Sequence, residues 1–231
     1  MIVNNINISS LNARLLTKDI QTASILIYDD WLRNASSPLY LGKQEQYKQI
    51  KLKLYIKNID EESALTNISN LIKEFEKCTI KFDDLSYYYD CLIVTKGHER
   101  VTLGIYNLSI ELKSGYAYKP VVIETMDHVT FKAINVPGNI LSPAVVTITV
   151  PVDTISLTLT GFGADPITIN NLKANMPVIV DGEACTVTQA GLNKFKDTDI
   201  WSFPVLLEGV NTITSSTANC TIIISYKPRF I

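Results

Sequence analysis

The residue types in this 231-residue chain that could do chemistry are few: two histidines, four cysteines and three close carboxylate pairs. His98 and His128 lie far apart in sequence, and neither stands beside a Cys ligand pattern. A zinc site needs three or four clustered N, S or O ligands. His98-Glu99 opens like the metalloprotease motif, but Thr102 occupies the place of the second histidine, so both histidines are expected at the surface. The carboxylate pairs are Asp29-Asp30, Asp83-Asp84 and Asp197-x-Asp199. Glycoside hydrolysis needs two carboxylates facing each other across a cleft. Caps of loops and turns account for these pairs more simply, and too few companion oxygens flank Asp197 and Asp199 to hold calcium. Gly161-x-Gly163 resembles a fragment of a dinucleotide fingerprint, but Pro166 stands where the third glycine belongs and no helix follows to meet a phosphate. No catalytic, cofactor-binding or metal-ligating residue is assigned, and a non-enzyme is expected.

Cys78, Cys91, Cys185 and Cys220 form no C-x-x-C pair. They are read as reduced, mostly buried thiols acting as small apolar residues. One bridge in each half is the alternative, and connectivity is not encoded in spacing alone. Trp31, Trp201 and Tyr87-Tyr88-Tyr89 would suit sugar or base stacking if their faces were open. In Ile200-Trp201-Ser202-Phe203-Pro204-Val205-Leu206-Leu207 apolar groups crowd both phases. The expectation is therefore that Trp201 and Phe203 share a face and form a buried anchor.

Net charge is −2, pI about 5.7 and the hydrophobic fraction 46%. Those values supply ample core material and argue against binding nucleic acid through a bulk basic field. No apolar stretch approaches the roughly 18 residues that span a bilayer. Met1-Ile2-Val3-Asn4-Asn5-Ile6 lacks the basic start and apolar block of a secretory signal, so folding in a cytoplasm is expected. Of the first 125 residues 30 are charged, against 14 of the remaining 106. That step predicts two domains, 1–125 and 126–231, in a mainly β chain whose first part is α+β.

In the first domain, Gln49–Lys57 alternates strictly, with Ile50, Leu52, Leu54 and Ile56 on one face and lysines on the other, which makes a half-buried strand. Ile6–Ser9, Ser24–Tyr28, Thr79–Phe82 and Tyr87–Thr95 read as further strands. Asn58-Ile59-Asp60-Glu61 fits a capping box, with Asn58 bonding forward and Glu61 reaching back. A helix over about 60–77 follows, with Leu65, Ile68, Leu71, Ile72 and Phe75 as its apolar stripe. Val101, Leu103 and Ile105 run out of phase with Leu108, Ile110 and Leu112, and a β-bulge at Tyr106-Asn107 would restore one face. Pro120–Glu124 is read as the last strand of this half.

The second domain reads as a β-sandwich, with short strands spaced by turn signals. Candidates are Ala144–Val150, Ile155–Thr160, Pro166–Ile169, Met176–Val180, Cys185–Thr188, Thr212–Ser215 and Cys220–Tyr226. Asp181-Gly182 marks a hairpin, Gly161–Pro166 another turn, and Gly209 a turn with positive φ.

Val178-Ile179-Val180-Asp181-Gly182-Glu183 is followed in order by Gly191-Leu192-Asn193-Lys194-Phe195, Asp199-Ile200-Trp201-Ser202-Phe203-Pro204, Leu207-Glu208-Gly209-Val210-Asn211 and Ile224–Arg229. This series resembles the C-terminal domain of the distal tail proteins of long-tailed, non-contractile bacteriophages, and the layout of the first half fits the same family. The resemblance implies an N-terminal β-sandwich with a helix that assembles into a homo-hexameric ring between the tail tube protein and the tail-tip or baseplate hub protein, with DNA passing through its centre. It implies a galectin-like or carbohydrate-module-like C-terminal sandwich, a place at the virion tail tip after assembly in the host cytoplasm, and no catalytic residues or cofactors. Some members carry large insertions that bind host sugars. The second half here, about 100 residues, leaves no room for one. A standalone carbohydrate-binding β-sandwich is the second reading, and a glycoside hydrolase the third.

Overall fold

The structure, a computed structural model, describes all residues 1–231. The chain is mainly β, with one α-helix, and forms two compact units, Met1–Ala117 with Ile231, and Tyr118–Phe230.

The first unit contains β1 (Ile2–Val3), β2 (Ile6–Asn7), β3 (Ala13–Ile20), β4 (Ile25–Asp30), β5 (Leu39–Glu45), β6 (Lys48–Lys57), α1 (Glu61–Phe75), β7 (Lys77–Lys81), β8 (Tyr88–Thr102) and β9 (Ile105–Tyr118). Its antiparallel sheet runs β2-β1-β7-β8-β9-β6-β3, while β4 and β5 pair only with each other. The alternation of β6 does what it predicts. Ile50, Leu52, Leu54 and Ile56 are buried, and they lie opposite buried Leu112, Ile110, Leu108 and Tyr106 of β9. Against this face pack Ala64, Ile68, Leu71 and Phe75 of α1. The apolar stripe is rotated from the expected one: Leu65 is exposed and small Ala64 takes the buried place.

Capping also differs from expectation. Asp60, not Asn58, is the N-cap, its carboxylate accepting from the Ser63 amide at 2.8 Å. Those bonds from Ser63 hold the Asp60 carboxyl below the usual carboxylate range. Glu61 does not reach back. Its carboxylate accepts from the Tyr106 hydroxyl and, at 3.4 Å, from the Gly104 amide, with Arg100 at 3.5 Å. The Tyr106 bond is the largest cause of its lowered pKa. This tie fastens the β8–β9 turn to the start of the helix.

That turn explains the phase change read as a bulge. The chain reverses at Leu103-Gly104, so Val101 lies on β8, Leu103 in the turn and Ile105 at the start of β9 with Leu108, Ile110 and Leu112, and β9 pairs with β6 without a register shift. Gly104 has φ +68°, and a Cβ there would come within 2.6 Å of the Asn58 carbonyl oxygen, so glycine is required on both counts. The actual bulge is in β3, between Leu15 and Thr17.

The second unit packs two sheets with a shared core. One runs β10 (Val122–Asp127), β21 (Thr221–Tyr226), β12 (Ser142–Thr149), β15 (Val178–Asp181), β16 (Thr186–Gln189) and β17 (Leu192–Asn193), with β19 (Val205–Leu206) on β12. The other runs β11 (Phe131–Val136), β20 (Gly209–Ser215), β13 (Thr154–Thr160), β14 (Ile167–Leu172) and β18 (Thr198–Ile200). Inward residues of both sheets, among them Val146, Ile148, Leu157, Ile169, Val180 and Ile222, fill the layer between them. Every expected strand is present within a few residues, and Gly209 has φ +80°. Sequence patterning did not mark β11 or the short β17–β19. The segment read as closing the first half is β10, which pairs with β21 from Val122↔Tyr226 to Asp127↔Thr221. The break between the units therefore falls after Ala117, not after residue 125.

Candidate assembly surfaces

The residues singled out for chemistry are dispersed. Both histidines are exposed, and no group of three or more His, Cys, Asp or Glu side chains is gathered. Asp83 receives the N-terminal amine of Met1 at 2.6 Å, and Asp84 pairs with Lys18. Asp29 and Asp30 end β4 in solvent. Asp197 accepts from Lys194 at 3.1 Å, a bond that lowers its pKa. Lys194, itself buried, also donates to the Asn171 carbonyl at 3.0 Å, so this pair pins a loop rather than forming half of a cleft. The two other pairs likewise act as local ties or exposed strand ends. The four cysteines are unbridged. Three are buried, and Cys185 is exposed.

The aromatic residues divide. Tyr89 is buried edge-on against Phe82, with centroids 6.0 Å apart. Trp201 overturns the expected anchor, being 84% exposed. The cause is local: β18 ends at Ile200 and the chain bends through Trp201-Ser202, so alternation no longer applies. Phe203 turns in alone, packing at the edge of the core and stacking on Phe195 at 6.1 Å.

What the first unit does present is open β surface. The β4–β5 hairpin is in register from Ile25↔Glu45 to Asp30↔Leu39, with a shift at Tyr28/Asp29. Its base is closed by the Gln46 amide donating to the Ser24 carbonyl at 2.8 Å, and Tyr28 donates to Gln44 at 2.7 Å. Yet every residue of β4 is exposed, and so are Leu39, Tyr40 and Leu41 of β5 and Trp31 beside the turn. Successive strand residues point to opposite faces, so this exposure leaves both faces of the hairpin uncovered. A lone two-stranded hairpin is marginal in water. One carrying Ile25, Ile27, Leu41 (65% exposed) and Trp31 (64%) has the composition of a buried element without the burial.

A second open surface lies along β8. Strand β7 pairs with Tyr88–Leu92 only, and one further backbone bond joins the Ile93 amide to the Glu76 carbonyl. From Val94 to Thr102 the strand continues along β9 with its other side unpaired and every residue exposed. At the far end of the same sheet β3 pairs only with β6. One sheet therefore offers two open edges, one on β8 and one on β3. Such edges pair with other chains unless they are blocked. Alternation in the sequence does not show which strands lie outermost.

No family model matches the sequence, and no curated protein matches it. Solved structures do match its fold. The SPP1 Dit (gp 19.1) protein, described as a paradigm of the hub adsorption apparatus in Gram-positive infecting phages, superposes with TM-score 0.80 at 9% identity over 100% of this chain and 98% of that one. The phage P2 baseplate in its activated conformation with Ca matches with TM-score 0.56 at 10% identity, covering 96% of this chain and 92% of that chain. The same baseplate with Sr gives 0.54 at 10% identity, covering 98% and 94%. The chain shares its fold with the SPP1 Dit protein along its whole length.

Proposed function

We propose that this chain is a structural protein of a phage or prophage tail, a distal tail protein whose first unit closes a homo-hexameric ring joining the tail tube protein to the baseplate or tail-tip hub. The observation that carries the reading is the fold match to the SPP1 hub protein over the full length of this chain. The open hairpin and the two open sheet edges support it, because a head-to-tail ring uses two different surfaces of each protomer and leaves neither exposed. Assembly in the host cytoplasm, a place at the virion tail tip and passage of DNA through the ring belong to the same proposal. Asp83, Asp84 and Asp197 are held in structural ion pairs, and the reading needs no catalysis. None of the helices is long and apolar enough to cross a membrane.

The test is particle mass and shape. At high concentration, or with the neighbouring tail proteins, six copies of 25.8 kDa should give rings of about 155 kDa with six-fold symmetry in electron micrographs. A tight dimer at every concentration by light scattering would sink the ring.

The exposed Trp201 favours a second reading for the other unit, a saccharide-stacking surface on a lectin-like sandwich. A glycan array on the purified chain separates it from a purely structural role.

A further inference from the structure

The face of the first unit's sheet turned away from α1 carries the lysines of β6, and strand register sets their surroundings row by row. Lys51 lies between Asp19 of β3 and Glu111 of β9, its ammonium 3.9 Å from Glu111, so its charge is answered on both sides. The next row holds no acid. Lys53, half-buried, lies between two hydroxyl residues, Thr17 and Ser109. One row further, Arg14 stands beside Tyr55, with Asn107 on the far side. Lys57, opposite Ile105, ends the strand. None of Lys53, Arg14 and Lys57 makes an ion pair. Successive rows on one face are about 7 Å apart, so three unanswered cations follow one another over roughly 14 Å of sheet. A cavity of about 410 Å³ opens at the Lys53 end, lined by Thr17, Lys53, Ser109 and, from β8, Lys96.

The residue types in these rows select the ligand. Phosphate oxygens are held by Arg and Lys together with Ser, Thr, Asn and Tyr donors. The Lys53 row supplies two hydroxyls beside its cation, and the Arg14 row a phenol and an amide. A protein partner calls instead for apolar anchors at the centre of its site, and these two rows hold no aliphatic side chain. We propose that the strip Lys53–Arg14–Lys57 is a contact site for the phosphodiester backbone of double-stranded DNA, indifferent to base sequence. The chain's net charge of −2 supplies no long-range attraction, so the contact is weak and is lost as salt rises, which suits DNA that moves past rather than stays. The inference rests on the ring reading only for its setting: in a ring that DNA threads, this is the sheet face turned to the channel.

The experiment titrates the full-length chain into two labelled duplex DNAs of unrelated sequence and follows fluorescence anisotropy from low to physiological salt. Three phosphate contacts should give a slope of log affinity against log salt of about −2.7, roughly −0.9 for each. Lys53→Gln should bring the slope to about −1.8 and weaken both duplexes alike. Lys53→Arg should keep the wild-type slope. Lys51→Gln should also leave it unchanged, because that lysine already has its counter-charges. Thermal melts matching the wild type show that each variant is folded, and Lys57→Gln repeats the test at the other end of the strip. No binding at low salt would overturn the proposal, as would equal slope losses for Lys51→Gln and Lys53→Gln. Equally tight binding of polyglutamate would overturn the assignment to phosphodiesters. The ring is scored separately by light scattering. Rings that form from a chain without salt-dependent DNA binding sink the strip and leave the ring, and DNA binding without rings does the reverse.

Discussion

Trp201 shows how far a single residue can depart from its sequence neighbourhood. Its flanks are apolar on both phases, and burial follows from them only if the segment stays extended. The bend after Ile200 breaks that premise. A core tryptophan lost to alanine costs about 3–5 kcal/mol. At 84% exposure, Trp201→Ala should instead change stability by less than about 0.5 kcal/mol in a denaturant melt. If the same variant loses retention on cell-wall polysaccharide while its melt is unchanged, the second unit binds sugar. If retention was never there, Trp201 belongs to a protein contact or to none. Glu61 is the converse case. The capping-box pattern named the residue correctly but gave it the wrong partner, because Tyr106 and Gly104, which claim its carboxylate, lie more than forty positions along the chain. Local motifs report which side chains can bond; the tertiary fold chooses among their partners.

At the scale of elements, periodicity was a good guide wherever one face is buried. β6 and the inner strands of the second unit were legible for that reason, and helix α1 was placed to within two residues. It failed where chain reversal imitates a bulge, at Leu103-Gly104, since alternation alone cannot tell a reversal from a kink. The β4–β5 hairpin was legible only as an apolar β run. Nothing local showed that its apolar residues would stay exposed in the isolated chain. A direct consequence follows for assembly. Ile27→Lys with Leu41→Lys should leave the thermal midpoint of dilute monomer almost unchanged, these residues being already solvated. Under the ring proposal the same variant should fail to form particles of about 155 kDa by light scattering. Rings formed as readily as by the wild type would remove the hairpin from the interface.

For the whole molecule, some residues of the motifs that resemble the phage family are locked in place by close backbone contact. Asp181-Gly182 and Phe203-Pro204 were quoted as separate motifs, yet they meet in the fold. The Gly182 amide donates to the Ala144 carbonyl, the Ala144 amide to the Pro204 carbonyl, each at 2.9 Å, and a Cβ on Gly182 would lie 2.1 Å from the Pro204 oxygen. Such a contact tolerates no other residue at Gly182. The first unit has fewer positions of this kind, and its motifs were correspondingly faint. The pairing of β10 with β21 carries a consequence of another sort. The first and last long strands of the second unit lie side by side, Val122 opposite Tyr226, so the points where the chain comes in and goes out are only about 5 Å apart. A polypeptide with adjoining ends is an exchangeable cassette. Residues 120–228 expressed alone should give a cooperative melt and dispersed amide spectrum, and an aggregated or molten product would refute that autonomy. In a lineage of such chains, one module could be swapped for another of different binding preference at the cost of two adjacent splice points, with the strand order of the remainder untouched.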